Sequence, residues 1–365
     1  MNICLKDAKI AIRVDGNQYI GLGHIFRCIY LAEYITKYGG TPYFVMLNSS
    51  INLFVKNLII KKKFSYYIIS HSNDPWREDV NLLKKIIHKE LFRAIIIDLL
   101  VPDKSDSDLN FESLYLPSDL ANLINELSFF KIPIFVFSDQ FDKISVACDL
   151  IINTCPSQDY NWYNYSEKYL LGPKYYIVGK SFLSLINIQK TFRSKKKKVV
   201  IFCGGNDHRN FTNLILETIT NLISEFEIEV IVGASTPNTT SYNDKIKNDM
   251  VKYHYQPMDV AQILFDADAA ISTSGNTLFD LAAIGIPSAA LSTRERQRIT
   301  ARFFHKKGAC IDIGSTKKEI ITGIDIFFNM LLNNKEKLYL MHRCGKQIVD
   351  GNGAFRIIKE MSLRL

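Results

Sequence analysis

The sequence predicts an α/β protein made of two Rossmann-like halves, each built on a parallel sheet. Three observations carry that expectation. The apolar runs, such as the Leu-Phe-Arg-Ala-Ile-Ile-Ile-Asp stretch at 91–98, are continuous rather than alternating. Continuous runs mark strands buried on both faces of a parallel sheet. Helical patterns lie between them, which gives βαβ units. The alternation breaks once, in a polar and basic stretch at 189–197, and then restarts. At 365 residues the chain is long for one domain, so two domains of ordinary size are expected.

In order, residues 10–14 read as a buried strand, and 25–38 as a helix closed by Gly39 and Gly40. Thr41–Leu47 reads as a second strand, 91–98 as a third with its acid at the C-terminal end, 132–138 as a fourth and 149–153 as a short fifth. A polar, Asp/Ser-rich stretch at about 100–125 reads as a loop insertion. Beyond the linker, 198–203 is a strand running into Gly204-Gly205-Asn206-Asp207. A helix at 211–223, a strand at Glu227–Val232, a turn at 233–235, a helix at 258–266 and a strand at 269–272 follow. The expected division is a first domain over 1–188, a linker over 189–197, a second domain over 198–345, and a C-terminal helix over 346–365 able to return to the first domain.

Composition narrows the function. The hydrophobic fraction is 47% and the charged fraction 22%, as in ordinary globular chains. The formal charge is +8, with part of it in Lys195, Lys196, Lys197 and Lys198. No Lys/Arg patch is interleaved with aromatics, so nucleic acid is not the expected partner. A binder of small anions such as nucleotide diphosphates accounts for the excess, and so does charge without functional content. The seven cysteines are scattered and form no CxxC. Structural zinc and a disulfide framework are not expected, and free thiols fit a cytoplasmic location. The N-terminus does not read as a signal peptide, and no run reads as a transmembrane helix. A peripheral membrane contact stays open, as does the oligomeric state.

Three stretches carry chemistry. Gly21-Leu22-Gly23-His24 follows the first strand and opens a helix. Glycines let backbone N–H groups approach a ligand, and a helix N-terminus suits an anion. A histidine there is either a cap or surface residue or a general base placed at the carboxyl edge of the sheet. Arg13 and Asp15 precede it at the strand end; Asp15 either assists or caps the turn. Gly204-Gly205-Asn206-Asp207 is either an ordinary turn or a backbone approach to a diphosphate. In 271–287, Ser274, Gly275, Asn276 and Thr277 separate a strand from a helix whose first turn offers N–H groups to a phosphate. Asp280, about one turn in, either accepts hydrogen bonds from a ribose diol or compensates the helix dipole. Arg294, Arg296 and Arg298 could help hold a leaving group or form a solvated face, and His208 could reach a diphosphate or lie on the surface. The alternating acids Asp103, Asp106 and Asp108 sit in the insertion, and the other histidines have no metal-ligand spacing, so no metal is expected.

Six stretches carry a resemblance: RVDGNQYIGLGHIFRCIYLA (13–32), IIID (95–98), FSDQ (137–140), CGGND (203–207), ISTSGNTLFDLAAIGIP (271–287) and DGNGAFRI (350–357). In this order they resemble the GT-B nucleotide-sugar enzymes that include the UDP-N-acetylglucosamine transferase of peptidoglycan synthesis. More closely they resemble the pseudaminic-acid pathway hydrolase of UDP-2,4-diacetamido-2,4,6-trideoxy-β-L-altropyranose and its spore-coat polysaccharide relatives. The resemblance implies a GT-B-like fold with parallel sheets facing across a cleft, and a UDP-sugar substrate with no metal or cofactor. It implies His24 as the group that activates water at the anomeric carbon, with Asp15 near it. Arg13, Gly21 and Gly23 then belong to the first phosphate or substrate loop. Gly204, Gly205, Asn206 and Asp207 form a second such loop, and Ser274, Gly275, Asn276 and Thr277 lie near the diphosphate. Asp280 stands where the family has a Glu that holds the ribose, and Gly179-Lys180 where the hydrolases approach an Arg. Hydrolysis with release of UDP is the leading expectation. Glycosyl transfer in surface polysaccharide synthesis is the alternative, and a non-catalytic nucleotide-sugar-binding subunit the third.

Overall fold

A computed structural model of the chain describes residues 3–16, 22–48, 53–69, 75–100, 117–138, 146–156, 167–205, 207, 209–233 and 251–365. The chain divides into two compact units, Met1–Ile177 with Asn352–Leu365, and Val178–Gly351.

The first unit carries strands β1 (Lys9–Val14), β2 (Thr41–Leu47), β3 (Ser65–Ile69), β4 (Ala94–Asp98), β5 (Ile134–Phe137), β6 (Leu150–Asn153) and β7 (Tyr169–Leu171). They form one sheet in the order β3-β2-β1-β4-β5-β6-β7, and every pairing is parallel. Its helices are α1 (Gly23–Lys37), α2 (Leu53–Lys61), α3 (Pro75–Glu90) and α4 (Pro117–Ser128). Strand alternation divides the core in two. Ile10, Ile12, Val14, Ala94 and Ile96 join α1 on one face. Ala11, Val45, Ile95 and Ile97 join α3 and α4 on the other. Both faces are apolar, which is why the sequence shows continuous runs.

Several boundaries differ from the sequence expectation. Strand β4 starts at Ala94 rather than 91, because Leu91 has φ +55 and ends α3 by donating its N–H to the Ile87 carbonyl. The insertion expected over 100–125 gives way to α4 from Pro117, whose Leu120, Leu123, Ile124 and Leu127 recur at helical spacing and are buried. Residues 101–116 lie outside the described residues. Strands β3 and β7 were not anticipated. β3 is an edge strand with mixed exposure, and β7 has only three residues.

The second unit begins with α5 (Lys180–Leu183) and holds a six-stranded parallel sheet. Its strands are β8 (Lys198–Phe202), β9 (Glu227–Val232), β10 (Val251–Tyr255), β11 (Ala269–Thr273), β12 (Ser288–Leu291) and β13 (Cys310–Asp312), in the order β10-β9-β8-β11-β12-β13. Its remaining helices are α6 (Phe211–Thr218), α7 (Val260–Asp266), α8 (Asn276–Ile284), α9 (Glu295–Lys306), α10 (Lys317–Asn333) and α11 (Lys335–Ile348). The helix expected over 211–223 is α6 followed by a separate 3-10 turn at Thr220–Glu225.

The last helix, α12 (Gly353–Ser362), belongs to the first unit and buries Ala354, Ile357, Ile358 and Met361 in the core that α1 shares. A Cβ at Gly353 would lie 2.0 Å from the Tyr176 carbonyl oxygen. Only glycine permits that approach. Arg356 donates to the Lys174 carbonyl at 2.8 Å. The DGNGAFRI stretch therefore has a packing role: it seats α12. Among the described residues no helix is long and apolar enough to cross a membrane.

Candidate active site

In the first unit, the ends of β1 and β4 lie side by side, with Val14 opposite Asp98. Asp98 shares the strand face of Ala94 and Ile96, so its side chain emerges toward α1. His24, Arg27 and Cys28 sit three and four residues apart near the start of α1 and form one stripe facing it. His24 Nδ1 is 2.7 Å from Asp98 Oδ1. Arg27 donates from Nη2 to Oδ1 at 2.6 Å and from Nε to Oδ2 at 2.8 Å. The Cys28 thiol donates to Oδ2 at 3.3 Å. Four donors fill the capacity of the carboxylate.

Asp98 is wholly buried. Burial pushes its carboxyl up, but the opposing Arg27 and then His24 bring it below the ordinary carboxylate value. Burial, reinforced by Asp98, holds the Cys28 thiol well above its ordinary value, so it stays a thiol and a donor. A nitrogen lone pair 2.7 Å from a carboxylate oxygen would be repulsive, so Nδ1 carries the proton and donates to Asp98. Nε2 is then the ring nitrogen with basic character. The Arg27 guanidinium also stacks 4.8 Å over the Phe137 ring.

Arg13 and Asp15 occupy the other face of the sheet. Arg13 is wholly buried and donates from Nε to Asp79 of α3 at 2.6 Å. Its Nη2 lies 2.6 Å from Asp15 Oδ2, and Asp15 Oδ1 accepts the Leu47 N–H at 2.9 Å. These groups tie the carboxyl ends of β1 and β2 to α3. The expectation that Asp15 stands near His24 is therefore corrected: β1's alternation carries it to the α3 side. The carboxylate on His24 is Asp98, and Arg27 completes the cluster. The sequence shows an acid at the end of β4 but nothing that names its partner. Strand parity counted back from Asp98 to Ala94 was the signal that could have placed it.

In the second unit, Gly204 has φ +90 and needs to be glycine. The loop it begins packs on the end of β9, where a Cβ at Gly233 would lie 2.4 Å from the Gly204 carbonyl oxygen. Asp207 accepts the N–H groups of Phe211 and Thr212 at 2.9 and 2.8 Å, so its carboxylate closes the N-terminus of α6. The N-terminus of α10 is closed by a capping box of Thr316 and Glu319. Backbone N–H donors of Ser315 and Thr316 hold the Glu319 carboxyl at about 2. The N-terminus of α8 differs. Its N-cap is Gly275, and no side chain caps it among the described residues. Ser274 is turned away and buried, bonding the Leu291 carbonyl at 2.6 Å and the Ser292 hydroxyl at 2.8 Å. It joins β11 to β12. Gly275, Thr277 and Asp280 are partly exposed and Asn276 is exposed. At the other end of α8, Gly285 takes φ +70 and the His342 ring bonds its carbonyl at 2.7 Å.

No protein-family model matches the chain. It is 27% identical over 351 residues to an uncharacterized protein of Methanocaldococcus jannaschii, covering 88% of this chain and 67% of that one. It is 24% identical over 359 residues to the spore coat polysaccharide biosynthesis protein SpsG of Bacillus subtilis, covering 95% and 96%. It is 27% identical over 191 residues to the UDP-N-acetylglucosamine–N-acetylmuramyl-(pentapeptide) pyrophosphoryl-undecaprenol N-acetylglucosamine transferase of Natranaerobius thermophilus, covering 48% and 51%. Among solved structures, MurG of Acinetobacter baumannii superposes with a TM-score of 0.64 at 12% identity, covering 98% of this chain and 100% of that one. The spinosyn rhamnosyltransferase SpnG superposes with a TM-score of 0.67 at 10% identity, covering 97% and 99%. The chain has the GT-B fold.

Within that GT-B frame the anticipated residues separate into groups. His24 stands in the charged cluster of the first unit, and Gly23 begins α1 beside it. Arg13 and Asp15 form the structural network on the opposite sheet face. Gly204, Gly205, Asp207, Ser274, Gly275, Asn276, Thr277 and Asp280 follow β8 and β11, neighbours at the centre of the second sheet. Gly21, Asn206 and His208 lie outside the described residues, as do the acids 103, 106 and 108. Arg298 is engaged with the Ser315 hydroxyl and Glu319. Among the described residues no group of three or more His, Cys, Asp or Glu side chains could hold a metal ion.

Proposed function

We propose that this protein transfers a glycosyl group from a UDP-sugar, in polysaccharide or glycan synthesis. The observation that carries the reading is the hydrogen bond from His24 Nδ1 to the buried Asp98, which turns Nε2 into a base at the start of α1. An acceptor hydroxyl gives its proton to Nε2 as its oxygen bonds to the anomeric carbon. The bond from that carbon to the diphosphate oxygen breaks, and UDP leaves with the electron pair. The first turn of α8 supplies N–H groups and the positive end of a helix dipole to the diphosphate, the role a metal ion plays elsewhere. Asp280, about one turn further, is the ribose partner in this reading.

Transfer is preferred to hydrolysis because several similar proteins are named as sugar transferases, while others are named as UDP-N-acetylglucosamine 2-epimerases. SpsG, similar over nearly the whole chain, is named for polysaccharide synthesis. With water in place of the acceptor the same groups make a hydrolase, the variant that the six family-like stretches together resemble more closely.

The test is UDP release from a panel of UDP-sugars, with and without acceptor glycans, in the native protein and in His24→Ala. Acceptor-dependent release lost in the variant is the expected result. Fast release without acceptor replaces transfer by hydrolysis. Release unchanged in His24→Ala removes His24 from the chemistry.

A further inference from the structure

A base needs an unprotonated ring, yet His24 faces a carboxylate at 2.7 Å in a site from which water is largely excluded. An opposite charge that close favours the charged form of a group. Alone, Asp98 would therefore favour the imidazolium and work against the role it supports by orienting the ring. The neighbour that resolves the conflict is Arg27. Its fork takes both oxygens of Asp98, at 2.6 and 2.8 Å, and its Nη2 lies 3.0 Å from His24 Nδ1. There it offsets the carboxylate and opposes a second positive charge on the ring.

We propose that Arg27 is a positioning residue for His24: it neutralises Asp98, so that the carboxylate fixes the ring's orientation and tautomer without holding the ring protonated. The proposal rests on the reading of His24 as the base and adds a division of labour within α1. Arg27 is held for this task from three sides. Phe137 of β5 lies under the guanidinium plane, Asp98 of β4 takes its fork, and the helix fixes its spacing from His24. A lysine would keep the charge but lose both the fork and the flat stacking surface.

Among the described residues, the other groups packed around His24 do not substitute for it. Cys28, which donates to Asp98 from α1, is held as a thiol. Arg13 and Asp15 of β1 belong to the α3 face. α12 packs against α1 with Ala354, Ile357, Ile358 and Met361.

The experiment is a pH titration of the His24 ring resonances in histidine-labelled protein, assigned by their loss in His24→Gln. Native protein, Arg27→Gln, Arg27→Lys and Asp98→Asn are compared. The pH at which the ring resonances move is expected to rise by about one unit or more in Arg27→Gln. It rises less in Arg27→Lys and falls in Asp98→Asn, where the guanidinium faces the ring uncompensated. The acid limb of kcat/KM against pH moves in the same directions. A ring that titrates in Arg27→Gln at the native pH or below overturns the proposal. Should Arg27→Gln fail to fold, Arg27→Lys decides by the same sign. Ring resonances that move while the acid limb stays fixed uphold the role of Arg27 and count instead against His24 as the base.

Discussion

The two units of this chain put polar chemistry at the carboxyl edges of their sheets in opposite ways. The first buries ionised side chains: Asp98 with Arg27, beside His24, on one face, and Arg13 with Asp79 and Asp15 on the other. The second closes the N-termini of α6 and α10 with carboxylates and gives α8 a glycine N-cap, with no side-chain cap among the described residues. Buried charges are costly unless matched, so they are kept where a proton must move or strands must be locked. Backbone donors carry no charge to desolvate and suit a ligand that binds and leaves as an anion. In the proposed reading, the first unit does the chemistry and the second holds the nucleotide.

The largest effect expected from breaking the contrast is at His24. His24→Ala should slow turnover by roughly 10²–10⁴-fold, the usual contribution of a general base, measured by UDP release under saturating donor. On the opposite face, Asp79→Ala should leave the buried Arg13 without its partner on α3. Loss of one member of a buried ion network costs about 3–5 kcal/mol, read as a lower midpoint in urea unfolding with the slope unchanged.

In the second unit, Gly275→Asp should cap α8 as Asp207 caps α6. A Cβ there meets only the Gln297 amide, at 3.6 Å, among the described residues, so the fold accepts it. The new carboxylate competes with phosphate for the same N–H groups, and UDP affinity should fall about tenfold while stability holds or rises slightly. The smallest effect is at Glu319. Its folded-state carboxyl, held at about 2, lies below the unfolded value. Its contribution is therefore complete above the unfolded carboxylate range and is lost as the pH falls toward about 2. Glu319→Gln should flatten the acid side of the stability profile and leave neutral-pH activity unchanged.

Much of this was legible in the sequence. The inner strands β1, β2, β4, β5, β8, β9 and β11 announce themselves as continuous apolar runs because helices cover both faces of the sheets. The edge strands β3 and β10 do not, since the half-buried Tyr66 and the exposed Lys252 break the pattern. β12, Ser-Ala-Ala-Leu, is fully buried but made of residues with little strand preference. At the site, His24 and the 274–277 loop were visible because glycines and small polar residues mark the turn from strand to helix. The partner of His24 was not. Asp15 is nine residues away and on the wrong side of the sheet; Asp98 is 74 residues away and on the right one. Asp207 read as a phosphate contact because the sequence cannot tell an acid beside a ligand from one capping its own helix.

The most direct test of the division of labour is equilibrium binding of UDP, by calorimetry, to the native protein, His24→Ala and Gly275→Asp. Unchanged affinity in His24→Ala with weakened affinity in Gly275→Asp is the predicted result. Affinity lost in His24→Ala and retained in Gly275→Asp would contradict it, because the nucleotide would then be held by the first unit and the α8 N-terminus would have no part in binding it.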